Sequence, residues 1–148
     1  MILIDTVVVS ELRRIASGRI NPAVAAWNVS IGSTPVFLSA ITILELRTGV
    51  LLKERKDPVQ GRTLSRWLER QLLPLFADAI LPVDTAVAFA CASLHVPVTR
   101  SRHDALIAAT ALVHHLTLAT RNTRGFADTG VHLVNPWDYR VGTGSAPV

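Results

Sequence analysis

Cysteine is almost absent: Cys91 is the only one, so no internal disulfide can brace the chain, and a reducing compartment suits it. It sits in the apolar run Phe89-Ala90-Cys91-Ala92, where it reads as a small buried hydrophobe. Long hydrophobic runs are missing too. No stretch approaches the roughly 20 apolar residues that a membrane-spanning helix needs. The opening Met1-Ile2-Leu3-Ile4-Asp5 has no basic segment and reaches a carboxylate too early for a secretion signal. A cytoplasmic location is expected. There is no glycine-rich phosphate loop, and Ser10 lacks the strand–turn setting of a nucleophilic serine. His114 and His115 are adjacent, so on a helix they point about 100° apart. No cysteine or further histidine stands at zinc-ligand spacing from them, and a place near the negative end of a helix dipole accounts for both. Repeats, low-complexity tracts and interdomain linkers are also lacking.

What the chain has is core. Apolar residues make up 49% of its 148 residues and charged ones 18%, which describes one well-cored globular domain. The residues 142–148, Gly-Thr-Gly-Ser-Ala-Pro-Val, read as a loose tail after a domain covering 1–140, with the tail taken as 141–148. Net charge is +4, and thirteen of the fifteen basic residues are Arg. Arg forks match phosphate oxygens, but a cationic solvated surface gives the same number. Charge alone does not choose.

Short β-type runs alternate with helical patterns. Strands are expected at Met1–Ile4, Val36–Leu38, Ile80–Val83, Leu116–Ala119 and Val131–Val134. Between them, helices are expected over Val8–Ala16, from the Asn21-Pro22 cap through Trp27, and from a Ser39 cap to about Lys56. Further helices run from Asp57-Pro58 to about Leu73, from an Asp84 cap through Leu94, and over Ala105–His115 behind a Ser101/Asp104 capping box. Such alternation predicts a parallel sheet covered on both faces. Arg62, Arg66 and Arg70 fall one turn apart, and with Lys53-Glu54-Arg55-Lys56 they either track phosphates or form the exposed face of a helical hairpin. Trp27, Trp67 and Trp137 lie in apolar patterns that favour packing over base stacking.

Ligands in such folds bind beyond the carboxyl ends of the strands. That turns three acids into a pattern: Asp5 follows the first strand, Glu45 lies early in the helix after the second, and Asp104 begins the helix before the fourth. Together they would repel one another unless a cation neutralised them, and an oxygen-only donor set suits Mg²⁺ or Mn²⁺. Each has an ordinary reading as well: Asp5 as a turn or cap, Glu45 as an ion-pair partner of Arg47 or Arg55, Asp104 as a cap residue. His103, next to Asp104, could approach the site, though it reads first as a surface residue of the cap.

Taken together, these segments resemble the PIN-domain family, especially the VapC-type toxins of bacterial toxin–antitoxin pairs. The resemblance is carried by Ile4-Asp5-Thr6-Val7-Val8-Val9-Ser10-Glu11-Leu12, by Ser39-Ala40-Ile41-Thr42-Ile43-Leu44-Glu45-Leu46-Arg47-Thr48-Gly49, and most specifically by Asp104-Ala105-Leu106-Ile107-Ala108-Ala109-Thr110-Ala111. Leu118-Ala119-Thr120-Arg121-Asn122 and Gly130-Val131-His132-Leu133-Val134-Asn135-Pro136-Trp137 are similar to the family's closing strands. It implies a three-layer α/β/α fold with a central parallel sheet and a Mg²⁺- or Mn²⁺-dependent endoribonuclease cleaving RNA by metal-activated water. It also implies a homodimer inhibited by a small antitoxin. By position, Asp5 and Asp104 would be the closest metal ligands, while Glu45 would ligate the ion or orient the attacking water. Thr6, Asn122 and Asp128 stand as auxiliary candidates. Two departures support a second reading, a catalytically weakened domain that binds antitoxin or RNA. Val7 stands where the family commonly has Asn, and neither Asn122 nor Gly125 supplies the usual fourth acid.

Overall fold

In the computed structural model, which describes residues 1–142, the N-terminal apolar run becomes β1 (Ile2–Ile4), buried on both faces. The chain continues through α1 (Thr6–Leu12), α2 (Pro22–Ser30), β2 (Val36–Ser39), α3 (Ala40–Lys56) and α4 (Pro58–Trp67). A π-helical turn (Leu68–Leu72) leads into α5 (Leu73–Leu75), β3 (Ile80–Leu81), α6 (Thr85–Leu94), α7 (Arg102–Val113) and β4 (Thr117–Ala119). Then come α8 (Thr123–Phe126), β5 (Leu133–Val134) and a 3-10 turn (Pro136–Asp138). The five strands pair in parallel in the order β3-β2-β1-β4-β5, with Leu3 opposite Phe37 on one side and Leu118 on the other. The expected three-layer α/β/α architecture is present.

Alternation along β1 divides the core. Ile2 and Ile4 pack with Val8, Trp27, Leu38, Val50 and Leu68 under α1 to α4. Leu3 faces the other way, onto Ile107, Ala108, Ala111, Leu118 and Phe126. α7 is built from small residues on this side: Ala105 and Ala109 turn outward to Val87 and Cys91 of α6. Their small size lets α7 sit between the sheet and an outer helix.

Local chemistry explains the helix starts. The Ser39, Asp57 and Asp84 side chains accept from the backbone N–H groups of Ile41, Gln60 and Val87, and Asn21 accepts from Ala23 and Val24 ahead of its first-turn proline. The first helix differs from expectation. Asp5 is itself the cap, so α1 begins at Thr6 and stops at Leu12, and turns carry the chain to Gly18 at φ +72°. α7 likewise begins at Arg102, one residue past its Ser101 cap, and ends at Val113. Val141 and Gly142 form an exposed turn, and 143–148 of the expected tail lie outside the described residues.

Asp57 closes one helix and opens the next, making α3 and α4 a tight hairpin. Gly61 is buried where they cross: a Cβ added there would lie 2.5 Å from Glu54 Cα and 2.7 Å from its backbone nitrogen. Backbone cannot step aside as a flexible side chain can. Gly61→Ala is therefore expected to destabilise the protein by about 1–3 kcal/mol despite alanine's better helix propensity, read as a lowered urea midpoint at unchanged slope.

Candidate functional site

The strand order reverses at β1, which has β2 on one side and β4 on the other. Crevices at such reversals, beyond the carboxyl ends of the strands, are where α/β sheets bind ligands. Asp5 stands there, 8% exposed. Its backbone N–H donates to Ala119 O at 2.9 Å, which ties it to the end of β4. Thr6 N donates to Oδ1 at 2.8 Å, and the Thr120 hydroxyl donates to Oδ2 at 2.7 Å. Both carboxylate oxygens are thereby oriented. Val7 is exposed on the first turn of α1, so the direction of Asp5 is set without a polar residue at that position.

Thr6 joins Asp5 to the neighbouring helix. Its hydroxyl donates to Glu45 Oε1 at 2.7 Å and sits 3.1 Å from the Thr42 hydroxyl. Glu45 is reached because β2 runs into α3 without an intervening loop. Its other oxygen, Oε2, lies 3.5 Å from His103 Nδ1. His103 thus belongs to this cluster and is not merely a surface residue of the cap. Asp104 follows it on the first turn of α7, where its backbone N–H bonds weakly to the capping Ser101 hydroxyl at 3.5 Å.

The electrostatics agree with the placement. Burial holds the Asp5 carboxyl above the ordinary carboxylate range, the two hydrogen bonds pull it partly back, and the charges of Asp104 and Glu45 raise it again. Asp104 is also raised, first by burial and then by Glu45, with His103 opposing. The three predicted acids therefore stand close enough to feel one another. They do not form a closed cage: among the described residues no group of three or more His, Cys, Asp or Glu side chains is placed to grip one ion. A hard divalent cation that keeps its waters and takes one or two carboxylates fits this donor set; a fully protein-ligated ion does not.

The auxiliary candidates separate. Thr6 is inside the cluster. Asn122 Oδ1 accepts from Gly125 N at 3.2 Å, capping α8. A side chain at Gly125 would meet that same amide, with Asn122 Cγ only 2.9 Å from the added Cβ. Asp128 is clamped by Arg100 through two hydrogen bonds of 2.9 Å, which hold its carboxyl below the ordinary range. Both side chains are engaged away from the acids, and the carboxylates that bear on Asp5 are Asp104 and Glu45. Thr42, His103 and Thr120 are the additions that sequence reasoning did not place in the site. Thr120 had one signal, its position directly after the strand that neighbours β1.

Comparison with known proteins follows the same lines. A family model for the PIN domain matches residues 2–131. The chain is similar to the toxin FitB of Neisseria gonorrhoeae, 44% identical over 144 residues, covering 93% of this chain and 99% of FitB. It is 36% identical over 146 residues to a VapC ribonuclease of Sinorhizobium fredii, with 93% and 99% covered. Among solved structures, FitAcB from Neisseria gonorrhoeae superposes with a TM-score of 0.83 at 41% identity, covering 93% of this chain and 99% of that one.

Proposed function

The chain belongs to the PIN-domain family, and from that premise we propose that it is the toxin of a toxin–antitoxin pair, a Mg²⁺- or Mn²⁺-dependent endoribonuclease. One observation carries the catalytic half: a buried carboxylate at the sheet's reversal point, oriented on both oxygens and within electrostatic reach of two more acids. The relatives carry the other half, since they are called a toxin and a VapC ribonuclease and a related solved structure is a toxin–antitoxin complex from Klebsiella pneumoniae. Residues 1–140 form the ribonuclease unit in this reading, and it works as a homodimer restrained by a small antitoxin. No helix among the described residues is long and apolar enough to cross a membrane.

Asp5 and Asp104 are the nearest ligands for the ion, and Glu45 ligates it or orients the attacking water. When bound, the ion supplies an activated water and polarises the phosphoryl oxygen. The chain's own work is alignment. Thr120 and the Thr6 amide fix Asp5, while the Thr6 hydroxyl and His103 approach the two oxygens of Glu45. Supports of this kind commonly matter 10–100-fold for metal affinity or activity.

The test is incubation of the purified protein with a tRNA pool. Cleavage is expected with Mn²⁺ or Mg²⁺ and none after chelation by EDTA. Cleavage that survives EDTA would refute the metal mechanism. The second reading, a weakened domain that binds antitoxin or RNA, draws on Val7 and on the engagement of Asn122 and Asp128 elsewhere. Tight RNA or partner binding without cleavage under any metal condition would establish it instead.

A further inference from the structure

A groove of about 420 Å³ leads away from the acids, and the two helices beside it supply matched rows of side chains. From α1 come Thr6, Ser10 and, at the helix end, Arg13; from α3 come Glu45, Gly49 and Lys53. Both rows follow the one-turn spacing of a helix face. Glu45 of the acid cluster, with Thr6, lines the groove at one end and Arg13 and Lys53 make it cationic further along, and the eight steps from Glu45 to Lys53 span about 12 Å of helix. A Cβ added at Gly49 would meet nothing within 4 Å, so the middle of the channel is open.

The two cations that line the groove share with most of the chain's basic side chains the lack of a neutralising acid among the described residues. Arg14, Arg47 and Arg100 each pair with a carboxylate, whereas Arg13 and Lys53 have no ion pair among the described residues. Arg13 instead lies with its guanidinium carbon 5.7 Å from the centroid of Trp67, which also lines the groove. A guanidinium steadied on an aromatic face keeps its N–H edge for a planar or tetrahedral anion.

We propose that this groove is the track for the RNA strand flanking the cleaved bond, with Arg13 and Lys53 gripping its phosphates beyond the acid centre. The inference rests on the ribonuclease reading and adds the residues that hold the substrate. An acidic peptide is the other occupant the charges would admit. RNA is favoured because Glu45, one of the three acids of the proposed catalytic centre, itself lines the groove.

Binding of a fluorescein-labelled single-stranded oligoribonucleotide, followed by anisotropy, tests the proposal in the cleavage-deficient Asp104→Asn background with Mg²⁺ present. Arg13→Gln and Lys53→Gln are each expected to weaken binding about 5–10-fold and to reduce the slope of log affinity against log salt by about 0.7. Both side chains are exposed, so an unchanged thermal midpoint accompanies the loss. In the cleaving protein the same changes are expected to raise KM by a like factor with kcat within about twofold. RNA affinity and salt slope unchanged in the double variant would overturn the proposal. So would an oligoglutamate peptide that binds in place of RNA and loses affinity in the variants. If the unmodified protein binds RNA through these residues yet never cleaves it, the groove stands and the ribonuclease reading falls.

Discussion

Asp5→Asn is expected to lower metal-dependent RNA cleavage by at least about 10²-fold, the scale on which single catalytic groups act, while the metal-free protein becomes no less stable and at neutral pH more so. The substitution is nearly isosteric and preserves the helix cap, since the new amide oxygen can still accept from Thr6 N. What it removes is charge, and the new amide NH₂ donates to the Thr120 hydroxyl where the carboxylate accepted from it. The Asp5 carboxyl is held above its ordinary range by burial and by Asp104 and Glu45, so the folded chain binds that proton more tightly than the unfolded one. Stability from this group is therefore full below the ordinary carboxylate range and is lost as pH rises through the elevated value. At neutral pH the ionised form opposes folding, and a neutral amide does not. Thermal unfolding in EDTA between pH 4 and 8 checks the sign: the variant's advantage should appear only as pH rises. Added Mn²⁺ should then raise the melting temperature of the unmodified protein and leave that of Asp5→Asn unmoved. A variant that cleaves normally would show that Asp5 is only a cap.

The largest effect on stability is expected at Trp27, in the core. Its side chain is fully buried among the residues that pack under α1 and α2. Trp27→Ala should cost about 3–5 kcal/mol, a substantial part of the 5–15 kcal/mol that holds a typical domain together. In a chain of this length that lowers the melting temperature by roughly 6–20 °C. The indole N–H has no hydrogen-bond partner among the described residues. Trp27→Phe consequently keeps most of the packing while removing an unsatisfied donor, and it should cost much less than the alanine variant. Urea titration of the pair separates the two terms, and equal losses would show that shape outweighs both.

Much of this architecture is visible in short chemical signals. Asn21-Pro22, Ser39, Asp57-Pro58, Asp84 and Ser101 each mark a helix start because a small polar side chain answers an orphan N–H within two or three residues. The first helix was harder to bound because Asp5 is both a cap and a site residue, and because Leu12 to Gly18 goes on in turns instead of helix. The helix expected from Pro58 to about Leu73 changes to π pitch at Leu68–Leu72, which the one-turn spacing of Leu64, Leu68 and Leu72 does not disclose, and the four-residue α8 is too short to show a period. The site divides in the same manner. Asp5, Glu45 and Asp104 could be singled out because each adjoins a strand or helix start, and two of them interrupt apolar runs. Thr120 and His103 were only hinted at, the one by following a strand and the other by adjoining Asp104, since their roles depend on which elements become neighbours. The order β3-β2-β1-β4-β5 is decided by packing across the whole chain. Asn122 and Asp128 became candidates only through the family resemblance, and the cap at Gly125 and the Arg100 clamp reveal their other work.

Asp5 occupies the single residue between β1 and α1, and Glu45 rides on a helix that leaves β2 directly from Ser39. Side chains mounted on such junctions have no lid to wait for and no slack loop to relax into. Asp5 and Glu45 are thus held in place by the sheet itself. Restraint must come as an obstruction laid over the opening, and release as its removal, since bending the framework itself would mean unravelling the sheet.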